Sequence, residues 1–287
     1  MVSRDCGLVA FGSARPLIVL TNDDGIRSPG LLALKEALDP LGEVRVVAPE
    51  ENRSGAARSI TMHSSLWVEE VTLPDGSVGY STDGTPVDCV RMAALGLLER
   101  PPDLIVSGIN LGENLGDDIT YSGTVAAALE GIMLGIPAIA ISAHGYHSGY
   151  DLSVPARFAR HLLSLALKKG FPARTLLNIN CPDRSFAELA GAKFTVLGKR
   201  VYGDKVEYRA TDGTRRLYQI YNDDLGYLQE PGSDFDAVAN GFISITPLHF
   251  DLMCHEALEQ LRSWESELGR ADCIGERRAR EGSGNPE

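Results

Sequence analysis

The chain has no long hydrophobic run. None of its apolar stretches approaches the ~18 residues that a membrane-spanning helix needs, so no membrane segment is expected. Cysteine is scarce. The five cysteines (Cys6, Cys89, Cys181, Cys254 and Cys273) are scattered, odd in number and lack metal-ligand spacing. That argues against a disulfide framework and against a thiolate zinc site, and fits reduced structural thiols in a cytoplasmic protein. Basic residues are also short. There are 27 Lys and Arg against 39 Asp and Glu, a net charge of −12. A general nucleic-acid binder carries a basic footprint, so that class is excluded. A small phosphorylated substrate is not, because one bound divalent cation inverts the local field. Residues 1–16 lack the apolar length of a signal peptide and read as a flexible extension.

What remains is ordinary globular material. At 44% hydrophobic and 23% charged, the 287 residues have ample apolar surface for a core. Short apolar runs at 17–20, 43–48, 103–107, 138–142 and 176–180 read as buried strands. Helical periodicity lies between them, over 85–98, 124–134 and 154–167. Strands alternating with helices predict an α/β fold, a mostly parallel sheet covered on both faces. Two segments break the pattern. Residues 59–80 alternate and turn at Pro74-Asp75-Gly76, which predicts a hairpin beside the main sheet. Residues 192–234 predict an extended antiparallel arm of the kind that pairs with another subunit. Strand character returns at 241–246, and 254–268 reads as a last helix. The expected organisation is therefore an extension (1–16), one α/β domain with a protruding arm (17–268) and a disordered charged tail (269–287).

The polar turns carry the chemistry. Leu20-Thr21-Asn22-Asp23-Asp24-Gly25-Ile26 puts two adjacent carboxylates in a strand-to-helix turn. In an open parallel sheet, such turns at the carboxyl ends of strands bind ligands. Asp and Gly are also common turn residues, so the motif alone decides nothing. Two further turns converge on the same edge, bringing Asn52 with Ser54 and Asn110 with Asn114. Carboxylate, hydroxyl and amide oxygens suit a hard cation such as Mg²⁺, Mn²⁺ or Ca²⁺. Tyr121-Ser122-Gly123-Thr124 opens an Ala-rich helix, where free N–H groups and the dipole favour phosphate. Ser122 fits two roles there, helix cap and phosphate donor. Asp88 reads as a helix-start residue, Asp251 and His255 as a capping pair, and Arg53 as a partner for phosphate or for Glu50 and Glu51.

Taken in order, these motifs resemble the SurE family (survival protein E), metal-dependent 5′/3′-nucleotidases. The resemblance rests on Thr21-Asn22-Asp23-Asp24-Gly25-Ile26 with Pro29-Gly30, Asn52-Arg53-Ser54-Gly55, Gly84-Thr85-Pro86, Ser107-Gly108-Ile109-Asn110-Leu111-Gly112 with Asn114 and Gly116, Tyr121-Ser122-Gly123-Thr124-Val125, and Thr246-Pro247-Leu248 ahead of Asp251. It spans residues 17–268 and implies a Rossmann-like core with one divalent cation per subunit, held by Asp23, Asp24, Ser54 and Asn110. It also implies phosphate contacts from Asn114 and from Ser122, Gly123 and Thr124. The implied reaction is hydrolysis of nucleoside 5′-monophosphates, with 3′-monophosphates and short polyphosphate as further substrates. Asp23 is the expected base, and Asn114 and Ser122 stabilise charge on the phosphoryl group. A homodimer or homotetramer formed through the arm and the C-terminal segment is expected. A non-catalytic metal–nucleotide sensor is the second reading of the same site. The chain departs from the family pattern at Ala57-Arg58 and Ala126, and Arg58 is expected to add a cation near the mouth of the site.

Overall fold

The structure is a computed structural model and describes residues 7–12, 15–203, 205–220 and 225–268. Cys6, Cys273 and the tail expected at 269–287 lie outside the described residues. The chain forms two compact units, one up to Phe250 and one from Asp251 onward.

In the first unit, β1 (Leu8–Val9) is short and exposed. Then β2 (Leu17–Thr21), α1 (Pro29–Leu38) and β3 (Glu43–Pro49) form a strand–helix–strand unit. A hairpin of β4 (Val68–Thr72) and β5 (Val78–Thr82) leads to α2 (Pro86–Met92), which ends in a π-helical turn through Leu97. Next come β6 (Leu104–Asn110), α3 (Gly123–Met133), β7 (Ala138–Ala143), α4 (Ser153–Lys169), β8 (Phe171–Pro172) and β9 (Leu176–Cys181). The arm region holds β10 (Gly191–Phe194), β11 (Arg200–Tyr202), β12 (Glu207–Asp212), β13 (Arg215–Gln219) and β14 (Leu225–Tyr227). The unit closes with α5 (Asp234–Ala239) and β15 (Phe242–Leu248).

Nine strands make one sheet in the order β10-β15-β9-β7-β6-β2-β3-β5-β4. The run from β9 to β5 is parallel, while β4 and β15 join it antiparallel. This is the mostly parallel α/β fold that the alternating pattern predicts. The central strands are apolar at nearly every position because both faces are covered. Their side chains divide by parity. Ile18, Leu20, Leu104, Val106, Ile139 and Ile141 pack with Leu31, Leu34 and Leu38 of α1 and Leu163 of α4. Val19, Ile105, Ala138 and Ala140 pack with Val90 of α2 and Val125, Ala127 and Ala128 of α3. Each large side chain buried this way contributes about 1.5–3 kcal/mol. The alanines let α3 lie close to the sheet.

Three expectations are adjusted. The hairpin begins only at Val68, and β5 joins the main sheet beside β3. The helix expected over 85–98 changes geometry after Met92, and Gly96 ends it at φ 152°. In the second unit, the single helix expected over 254–268 is divided into α6 (His255–Leu261), a 3₁₀ turn (Arg262–Trp264) and α7 (Glu265–Leu268). None of these residues is buried, so no packed stripe holds one continuous helix. Within the segment expected as an N-terminal extension, β1 pairs antiparallel with β8.

Candidate active site

The strand order reverses at β2. The chain moves from β2 to β3 on one side, then returns to place β6 on the other. The carboxyl ends of β2 and β6 therefore flank the crevice where open α/β sheets take ligands. Asp23 and Asp24 follow β2 after one residue, Asn22, and Asn110 is the last residue of β6.

The turn carrying the two carboxylates is locally determined. The Asn22 amide donates to the Gly25 carbonyl at 3.0 Å and accepts from the Gly25 N–H at 3.2 Å. Gly25 has φ 98°, and a Cβ there would lie 3.1 Å from the Glu51 carbonyl carbon, so the turn needs glycine. The helix after it is seated closely too. A Cβ on Gly30 would lie 2.1 Å from the Ile109 carbonyl oxygen.

Hydrogen bonds join the turn to the other two loops. Asp24 accepts from the Leu111 N–H at 3.0 Å and from the Asn52 amide at 3.4 Å. Asn52 in turn accepts from the Ser54 N–H at 2.8 Å. The Asp23 carbonyl accepts from the Arg53 N–H at 2.6 Å. The Asn110 amide donates to the Gly112 carbonyl at 2.9 Å, which leaves its oxygen as an acceptor. On the remaining side stands the start of α3. The Thr124 hydroxyl donates to Asp23, and a Cβ on Gly123 would come within 2.8 Å of the Asp23 carboxylate. Ser122 caps α3, accepting from the Val125 N–H at 3.1 Å.

Asn114 is fixed from a different direction. Its backbone N–H donates to the Asn180 amide oxygen at 2.8 Å, and its carbonyl accepts from the amides of Asn178 at 2.8 Å and Asn180 at 2.9 Å. Its side-chain amide donates to the Ser142 hydroxyl at 2.8 Å. One amide hydrogen remains for a ligand. The sequence reading passed over Ser142, Asn178 and Asn180, though two asparagines inside an apolar strand were a visible signal.

The electrostatics of the turn are unbalanced. Burial raises the Asp23 carboxyl above its ordinary value. Burial also pushes Asp24 up to about 6; the Leu111 N–H opposes this and the Asp23 charge adds to it. Arg53, whose N–H bonds the Asp23 carbonyl, turns its guanidinium elsewhere, 3.5 Å from Glu51 and donating to the Asp83 carbonyl at 3.0 Å. Asp23, buried, and Asp24, half-buried, form no salt bridge among the described residues, and two such neighbouring carboxylates beside hydroxyl and amide oxygens fit a hard divalent cation. Among the described residues, no group of three or more His, Cys, Asp or Glu side chains could hold a metal ion, so a cation here would draw on Ser and Asn oxygens as well as the two carboxylates.

The family model described as survival protein SurE matches residues 18–204, about two thirds of the chain. The chain belongs to the SurE family. A curated relative from Rubrobacter xylanophilus, named 5′-nucleotidase SurE, is 52% identical over 88% of this chain and 98% of its own length. One of the same name from Herpetosiphon aurantiacus is 49% identical over 82% of this chain and 92% of its own. The crystal structure of the SurE protein from Aquifex aeolicus matches with a TM-score of 0.75 and 39% identity, over 87% of this chain and all of that one. The residues singled out by the SurE resemblance divide into two groups in space. Asp23, Asp24, Ser54, Asn110, Ser122, Gly123 and Thr124 line the turns and helix start joined around the two carboxylates. Asn114 sits in the adjoining loop.

Other expectations resolve differently. Arg58 is not a free cation at the mouth. It pairs with the buried Glu130 at 2.6 Å and lies over the Phe250 ring at 4.5 Å. Arg91 holds the other Glu130 oxygen at 2.6 Å. Asp88 closes a capping box with Thr85 and also accepts from the Thr61 hydroxyl at 2.7 Å. Asp251 and His255 are 3.4 Å apart in the second unit.

Proposed function

We propose that the chain is a divalent-cation-dependent 5′-nucleotidase, converting nucleoside 5′-monophosphates to nucleoside and phosphate. The single observation that carries this reading is the meeting of Asp23 and Asp24 with the Asn52–Ser54 loop, the end of β6 and the start of α3. The names of the curated relatives support the substrate class. Asp23, Asp24, Ser54 and Asn110 would hold one Mg²⁺ or Mn²⁺, and Ca²⁺ fits the same oxygen donors. When bound, that ion supplies Lewis acidity to the phosphoryl group and makes a nearby water more acidic.

The chain's own residues do the rest. Asn114, Ser122 and the backbone N–H groups of Gly123 and Thr124 bind the phosphoryl oxygens and the charge that spreads over them. Asp23 takes the proton of the attacking water. The water oxygen bonds to phosphorus as the ester P–O bond breaks, and the nucleoside oxygen leaves with a proton. Water attack ranks above an aspartyl-phosphate route because both carboxylates would hold the cation. The same site accepts 3′-monophosphates and short polyphosphate in this reading. The protein is cytoplasmic and works as a homodimer or homotetramer. Among the described residues, no helix is long and apolar enough to cross a membrane.

The test is phosphate release from nucleoside 5′- and 3′-monophosphates and short polyphosphate, on chelator-stripped protein given Mg²⁺, Mn²⁺ or Ca²⁺ singly. We expect metal-dependent release from 5′-monophosphates, and none from folded Asp23→Asn protein. Full activity in Asp23→Asn overturns the assignment. Nucleotide binding without release by the unaltered chain moves the reading to a binding-only sensor.

A further inference from the structure

We infer that Ser142, Asn178 and Asn180 are positioning residues that clamp Asn114 in the orientation its phosphate contact requires. The inference rests on the phosphate role proposed for Asn114. Ser142 is the next-to-last residue of β7, and Asn178 and Asn180 lie on the neighbouring β9, where Asn178 stands opposite Ala140 and Asn180 opposite Ser142. By parity all three share the face of Leu176 and Ala140, the face that packs α3. All three are completely buried, in strands otherwise built of Leu, Ile, Ala and one Cys.

The four hydrogen bonds of the clamp leave Asn114 little freedom. The Asn180 amide both accepts from its N–H and donates to its carbonyl, fixing the peptide plane on two sides. Asn178 supplies a second donor to the same carbonyl, although one donor would satisfy it. The Ser142 hydroxyl fixes the side chain by taking one amide hydrogen, which directs the other away from β7. Asn178 holds this place at a cost, since its own amide oxygen is buried without a partner. Polar groups kept in an apolar strand at such a cost mark a functional demand. A contact that must follow charge onto the phosphoryl oxygens is that demand, because small misplacements cost much rate.

The test compares Asn114→Ala, Ser142→Ala, Asn180→Asp and, as a control, Ser244→Ala. Ser244 stands opposite Asn180 on β15, and its hydroxyl, buried and unpartnered, makes no contact with Asn114. Asn180→Asp keeps the acceptor for the Asn114 N–H but removes the donor to its carbonyl. Ser142→Ala is a small change that keeps the fold even if Asn180→Asp does not. For each we would measure kcat, KM, inhibition by inorganic phosphate and the Kd for Mn²⁺. We expect Asn114→Ala to lower kcat about 100-fold. Ser142→Ala and Asn180→Asp should lower kcat about 10-fold or more and weaken phosphate inhibition. Mn²⁺ affinity and all Ser244→Ala values should stay unchanged. Loss of Mn²⁺ affinity in step with kcat would mean general loosening of the sheet and overturn the clamp. So would unaltered kcat and phosphate inhibition in Ser142→Ala while Asn114→Ala is impaired. Unaltered Asn114→Ala would instead remove the phosphate role of Asn114 itself.

Discussion

Asp24 holds a negative charge where little water reaches it, and its carboxyl is pushed up to about 6 by burial. An acid raised in this way stabilises the fold while protonated. That stability is complete below the unfolded value of 3.8 and is lost as pH rises through about 6. A divalent cation reverses the sign, because it binds the charged form. Two outcomes follow for chelator-treated protein. Mn²⁺ affinity should fall as pH drops through about 6, with protons released on binding, and Mn²⁺ should raise the Tm more at about pH 7.5 than at about pH 5. Calorimetric titration in buffers of different ionisation heat measures the proton release. Affinity that stays flat across this range would remove the cation from Asp24. The two aspartates themselves were legible, since adjacent carboxylates after an apolar strand stand out. The Thr124 hydroxyl was not. It donates to Asp23, a contact across 101 positions that no local pattern encodes.

The start of α3 shows how one element serves stability and chemistry together. Ser122 caps the helix through the Val125 N–H, Gly123 gives Asp23 room, and Thr124 holds its carboxylate. Ser122→Ala removes the cap and should cost about 1 kcal/mol of stability, read from denaturant unfolding. It should also lower kcat about 10- to 100-fold if the hydroxyl donates to phosphate as proposed. Loss of stability at unaltered kcat would leave Ser122 as a cap only. At this scale the sequence was informative where one period dominates. Strands buried on both faces read as continuous apolar runs, and α3 and α4 follow from their own helical periodicity. It was less so where tertiary contacts choose. The residues before Val68 look like strand but form a loop, tied by Thr61 to Asp88 and by Arg58 to Glu130. Asn178 and Asn180 stood out as polar residues in an apolar strand, yet their partner Asn114 lies more than sixty positions away.

For the whole molecule, the arm raises a question of exposed apolar surface. In the β12–β13 hairpin, Tyr208 stands opposite Tyr218, their rings 5.9 Å apart edge to face. Val206 and Ile220 flank the two strands at the same end of the hairpin. The four are exposed at 69% (Val206), 56% (Tyr208), 47% (Tyr218) and 55% (Ile220). An isolated two-stranded hairpin is marginal in water, and contiguous exposed apolar groups mark an interaction surface. The proposed oligomer would cover this face with a second copy of the chain. Light scattering after size exclusion should then give a mass of two or four times 30.9 kDa. The double substitution Tyr218→Glu with Ile220→Glu places charges on this surface and should shift the protein toward the monomer. Its circular dichroism should stay unchanged, because both side chains lie outside the packed cores. If assembly and folding are linked, the Tm of the unaltered protein rises with concentration and that of the double variant does not. The active-site turns are built from β2, β6 and α3 of a single chain, so Mn²⁺ affinity per chain should survive in the monomeric form. A monomer with intact Mn²⁺ binding but reduced turnover would show that the assembled arm acts on substrate access. A monomeric unaltered protein would show that the exposed face has some other occupant.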